Sequence, residues 1–160
     1  MKNPAPIFRQ ETLRSFSRDH HFALLLVWKI RQGLHNAIAC QRISDYLVHV
    51  YQHDLVHHFR DEETFLFTRL DLTDELRKIA ESDHAILKHL VSAIKRNGTD
   101  TALLHQFAIQ LEKHIRFEER ELYRHLQSVL PAKANHLLEK RAAKLTRETD
   151  LTWPDQFWAA

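Results

Sequence analysis

Two ten-residue stretches of this chain each set a glutamate one helical turn after a histidine. His58-Phe-Arg-Asp-Glu62-Glu63-Thr-Phe-Leu66-Phe67 and His114-Ile-Arg-Phe-Glu118-Glu119-Arg-Glu-Leu122-Tyr123 share the pattern His-apolar-Arg-x-Glu-Glu-x-x-Leu-aromatic. On a helix, residues four apart lie one turn apart and roughly 40° around the axis. Each pair can therefore aim an imidazole and a carboxylate at one spot. A second repeat lies upstream of each box: Asp19-His20 through Val27 matches Asp83-His84 through Val91, with Ile30 and Ile94 at the same offset. The six residues His20, His58, Glu62, His84, His114 and Glu118 all fall on apolar stripes, where ionisable groups are costly unless paired or bound to a metal. Four imidazole nitrogens and two carboxylate oxygens suit a first-row transition metal. Two metals bridged by Glu62 and Glu118 would each take two histidines and remain short of six ligands. The open positions would admit water, oxo, dioxygen, peroxide or nitric oxide. Zinc tolerates such donors, although its closed structural sites favour four ligands around one ion.

Four segments of helical period must position these side chains. They are predicted at about Ser17 to Ala39, Ile43 to Arg69, Thr73 to Lys95 and Asp100 to Val129. Ser17, Thr73 and Asp100 are expected to cap the first, third and fourth, and Asn97-Gly98 to end the third. Pro131 ends the fourth and opens a short fifth helix, about Ala132 to Leu145. The tail from Thr146 to Ala160 carries Trp153, Phe157 and Trp158, which are expected to fold back onto the rest. The connections are short, so successive helices should be antiparallel neighbours. The expected fold is all-α: an antiparallel up-down-up-down four-helix bundle with a short C-terminal helix and tail. One domain spans 1–160, with the bundle core at about 15–130 and the appendage at 131–160. Counted from the helix ends, the four histidines fall at similar heights, within about one turn given boundary errors.

Composition narrows the partners. Glycine and proline number only 2 and 4 in 160 residues, too few for the turns of an all-β fold. Lys plus Arg number 23 against 21 Asp plus Glu, a net +2 that disfavours a nucleic-acid partner. Thirteen histidines are a surplus that asks for a reason. A lone Cys40 excludes a disulfide scaffold. The longest apolar run, Phe22 to Trp28, is far below the ~20 residues of a membrane span. The start shows no apolar signal segment, so a cytoplasmic location is expected. The partner is expected to be a small diatomic gas or peroxide, with no nucleic acid and no membrane; a homodimer is one option for assembly.

The set His20, His58-x-x-x-Glu62, His84 and His114-x-x-x-Glu118 resembles the hemerythrin-like, HHE cation-binding family, over about residues 15–128. The resemblance implies a non-haem di-iron centre, two iron ions joined by an oxo or hydroxo bridge, with zinc or manganese as other occupants. It also implies handling of dioxygen, nitric oxide or peroxide for sensing, storage or detoxification. Oxygen-carrying hemerythrins place a further histidine one turn before the third-helix ligand, where this chain has Ala80. Their last box spaces its carboxylate at five, where this chain offers Glu118 at four and Glu119 at five. In both respects the chain is closer to the bacterial, nitric-oxide-responsive and iron-sulfur-repair relatives, which carry an N-terminal cysteine domain that is not expected from these residues. A di-iron oxidase or peroxidase and a structural zinc-binding bundle acting as an interaction module are the rival functions. No catalytic residue stands out beyond the ligands, so whether the protein is an enzyme stays open. Glu63 and Glu119 read as solvated flanks, Asp19 and Asp83 as partners of a neighbouring histidine or as surface charge. His125 reads as a core or end-of-bundle residue, and His49, His53 and His57 as a solvated strip. Leu24, Val27, Leu55, Phe65, Leu66, Leu87 and Leu111 would wall a dry pocket that favours small apolar gases.

Overall fold

The computed structural model describes residues 11–130 and 153–159, and these are helical without a strand. Four rods carry the site. The first is α1 (Glu11–His35). The second joins α2 (Cys40–Val50), a π-turn (Tyr51–Leu55), α3 (Val56–Asp61), a second π-turn (Glu62–Leu66) and a 3-10 turn (Phe67–Arg69). The third is α4 (Glu75–Arg96). The fourth joins α5 (Thr101–Phe117), a π-turn (Glu118–Leu122) and α6 (Tyr123–Val129). The first rod packs on the second and fourth, and α4 packs on α2 and α5. No helix among the described residues is long and apolar enough to cross a membrane.

The ends of the rods follow local chemistry. Helix α1 begins before the expected cap at Ser17, because Leu13 and Phe16 extend its apolar stripe and are buried. It ends at His35, where Ile38 N–H donates to Gly33 O and Ala37 N–H to Leu34 O. These bonds fold a reversing turn that puts Ala37 at φ 54°, the left-handed region usually given to glycine. The cap of α4 is Asp74 rather than Thr73: its carboxylate accepts from Arg77 N–H. Asp100 caps α5 through the N–H groups of Ala102 and Leu103.

Two apolar clusters lie on either side of the histidines and glutamates. One draws its buried apolar residues from 23–30, 43–59, 87–94 and 104–115. The other holds Leu13, Phe16, Leu66, Phe67, Leu70, Ala80, Leu122, Tyr123, Leu126 and Leu130. On each rod the polar residues fall between them: His20, Glu62, His84 and Glu118 each separate a stretch of one cluster from a stretch of the other. Phe157 is buried in the first cluster, against Tyr46. Its neighbours are tied down by Arg42, which forks onto Asp155, and by Lys29, whose Nζ lies 3.9 Å from the Trp158 ring centre. The expected fifth helix at 132–145 lies outside the described residues.

Candidate metal centre

The repeat places one imidazole on each rod at the level between the clusters. His20 comes from α1, His58 from α3, His84 from α4 and His114 from α5, and each is at most 5% exposed. Glu62 and Glu118, the first residues of two π-turns, are fully buried beside them. The six side chains expected from the sequence are thus brought together. His20, His58, Glu62 and Glu118 each offer a ligand atom within 4.8 Å of the others, and so do Glu62, His84, His114 and Glu118. Both glutamates belong to both groups.

Carboxylates outside this layer set the orientation of every ring. The Nδ1 atoms of His58 and His114 lie 3.0 Å from Asp19 Oδ2 and Asp83 Oδ2. Those of His84 and His20 lie 2.8 Å from Glu63 Oε1 and 2.7 Å from Glu119 Oε1. With the Nδ1–H groups donating outward, the Nε2 atoms face inward. His58 Nε2 is 3.0 Å from Glu62 Oε1, and His20 Nε2 is 3.1 Å from Glu118 Oε2. His84 Nε2 is 3.1 Å from His114 Nε2, which meets Glu118 Oε1. Asp83 is held in turn by Gln110 Nε2 at 3.0 Å. A carboxylate behind each imidazole is the arrangement that orients metal-bound histidine and raises its basicity.

Glu63 and Glu119, expected as solvated flanks, are therefore the outer partners of His84 and His20 and stand outside both inner groups. Asp19 and Asp83 take the first of the two roles considered for them. His125 pairs with Asp74 at the start of α4, with its Nε2 2.6 Å from Oδ2. His21, His53 and His57 are exposed; the His49 ring lies tilted between those of His53 and Trp153.

Sequence periodicity missed Tyr123. Its hydroxyl donates to Glu62 Oε2 at 2.8 Å and lies 3.2 Å from His20 Nε2, with its ring stacked on His20. Five residues along an α-helix turn a side chain roughly 140° away from Glu118. The wider i to i+5 turn leaves it only roughly 60° away. The same turn brings Phe67 onto His84. The aromatic that closes both boxes was the available signal.

The carboxylates of the layer raise the proton affinity of its imidazoles. Burial alone would lower the affinity of the four imidazoles for protons, but the carboxylates outweigh it. His114 is pushed up to about 9 by the Glu118 charge and the bond to Asp83, against burial. Against the same burial, Glu118, Glu62 and Glu63 raise His84 well above its ordinary value. His20 and His58 also rise, burial being overcome by Glu118 and Glu119 in the first and by Glu62 in the second. Burial opposes the charge on Glu118, yet His114 and its neighbours hold it well below the usual carboxylate range.

The donor set fits a metal. His58 Nε2, Glu62 Oε1 and both Glu118 oxygens are buried in close contact with one another or with ring nitrogens, yet none of these contacts is a well-directed hydrogen bond. Such orphaned atoms are expensive in an interior unless a cation satisfies them. Imidazole nitrogen with carboxylate oxygen is the ligand chemistry of first-row divalent and trivalent ions. A cleft of about 320 Å³ reaches one side of the layer, lined by Tyr51, Phe59, Arg60, Glu63, His84 and Lys88. The rings of Phe59 and Phe67 stack on His84.

No curated protein and no solved structure gives a significant match to the chain. The sequence profile of the hemerythrin HHE cation-binding domain matches residues 11–126, the span that delivers all six inner residues and their outer carboxylates. The chain therefore belongs to the hemerythrin HHE cation-binding domain family.

Proposed function

We propose that the protein is a single up-down-up-down bundle that holds two irons, bound through His20, His58, Glu62, His84, His114 and Glu118. The iron pair would take up dioxygen, nitric oxide or peroxide for sensing, storage or detoxification. One observation carries this reading: Glu62 and Glu118 are each shared by two donor groups, while each histidine pair belongs to one. A single ion would leave two imidazoles and their carboxylates charged and buried to no purpose. When bound, the irons supply redox-active centres with positions open to a small ligand.

The chain's own residues do the rest. Asp19, Glu63, Asp83 and Glu119 hold the Nδ1 protons, so that each Nε2 lone pair is presented inward. The carboxylates of Glu62 and Glu118 offset positive charge at the centre. Phe59, Phe67 and the two apolar clusters limit water around it. An alternation in the order of the clusters along successive rods supports the up-down-up-down reading.

Metal analysis of aerobically purified protein tests the proposal. About two irons per chain are expected, with near-ultraviolet charge-transfer absorption of a bridged ferric pair. Glu62→Ala and Glu118→Ala should each lower the iron content. Unchanged stoichiometry in both, or a single zinc and no iron, would overturn the assignment.

A further inference from the structure

The inner ligands of the two halves and the carboxylates behind them match residue for residue, and the residue that closes each box does not. His20 corresponds to His84, His58 to His114, Glu62 to Glu118, Asp19 to Asp83 and Glu63 to Glu119. The residue that closes each box differs by one oxygen: Tyr123 lies on His20 with a hydroxyl, Phe67 on His84 without one. That oxygen falls on the bridging carboxylates unequally. Of the four oxygens of Glu62 and Glu118, three are buried without a well-directed hydrogen bond, and the fourth, Glu62 Oε2, is taken by Tyr123 at 2.8 Å.

The two glutamates consequently face the histidines in different ways. Glu118 divides its oxygens, Oε2 toward His20 at 3.1 Å and Oε1 toward His84 at 3.6 Å and toward His114. Glu62 meets both halves through Oε1 alone, 3.0 Å from His58 Nε2 and 3.5 Å from His84 Nε2. We propose that Tyr123 is a positioning residue that makes the two metal positions inequivalent, by holding Glu62 Oε2 so that this carboxylate serves both positions through one oxygen while Glu118 serves them through two. The inference rests on the two-iron reading above. It adds that both positions draw on one and the same oxygen of Glu62, where the fold's repeat would give each its own, and that a phenol hydroxyl lies beside His20 alone.

The test uses full-length protein loaded with isotopically enriched iron and read by Mössbauer spectroscopy, with iron content measured on the same samples. Wild type should give two quadrupole doublets of equal area and different splitting. Tyr123→Phe removes the hydroxyl from one half, and Phe67→Tyr supplies it to the other. In either variant the two doublets should converge while iron stays at the wild-type level. The double variant, with the two residues exchanged, should separate them again. A single doublet in wild type, or splittings unmoved in both single variants, overturns the inference and leaves the two-iron reading standing. Failure of wild type to hold two irons overturns both. Phe67→Tyr carries the comparison if Tyr123→Phe does not fold, because it leaves the contacts of Tyr123 intact.

Discussion

Each inner histidine has one nitrogen committed to the layer and the other to a carboxylate behind it. The outer partners should therefore matter to affinity without touching the metal. Asp83→Ala removes the acceptor of His114 Nδ1 and that of Gln110. It should weaken iron binding by about 10–100-fold, and Asp19→Ala should do the same through His58. Competition against a chelator measures this; wild-type affinity in both variants would show that the carboxylates do not orient the rings. The inner six were legible in the sequence because His-x-x-x-Glu on an apolar stripe is costly as packing alone. The outer glutamates were not. Glu63 and Glu119 sit a further 100° around their own helices, and what makes them partners is a histidine on another rod, which periodicity within one segment does not contain.

At the scale of the helix, the segments themselves were readable from their apolar period, but each was expected as one unbroken helix. The π-turns that start at Glu62 and Glu118 break that period. They add no unusual residue, so sequence offers no signature for them, yet they decide which side chains after each glutamate face inward. Local strain is more visible. Ala37 holds φ 54° where the chain leaves α1, a conformation that disfavours a Cβ. Ala37→Gly should stabilise the protein by about 0.5–1 kcal/mol, after the added freedom of the unfolded chain is set against the relieved strain. Urea unfolding with an unchanged m-value checks this, and a loss of stability would mean that the turn tolerates the methyl group. The opposite constraint acts at Gly33, where an added Cβ would come within 2.8 Å of Ile43 Cδ1 and 2.9 Å of Phe157.

For the whole molecule, the consequence is a layer of charge sealed between two apolar clusters. In the metal-free chain its stability contribution depends on pH in a definite direction. His114 binds its proton up to about 9, against an ordinary 6.5 in the unfolded chain. That contribution is complete below about pH 6.5 and is lost as pH rises through about 9. The depressed Glu118 acts oppositely: its contribution is complete above its ordinary value of 4.5 and is lost as pH falls toward its folded value. Metal-free protein should accordingly unfold at lower urea concentration at pH 9 than at pH 6.5. Iron affinity should change the other way, because the ion must displace histidine protons and does so more easily as pH rises. Parallel trends in the two measurements would contradict this account of the layer.

The cleft beside His84 gives the centre a front and a back. Glu63, the outer partner of that ring, keeps 48% of its side chain in solvent, whereas Glu119 behind His20 keeps 28%. Traffic should follow the same asymmetry: an ion at the His84–His114 position departs first and is replaced first, and its neighbour waits behind it. Emptying the protein with a chelator should then be biphasic, with a half-loaded species accumulating between the phases.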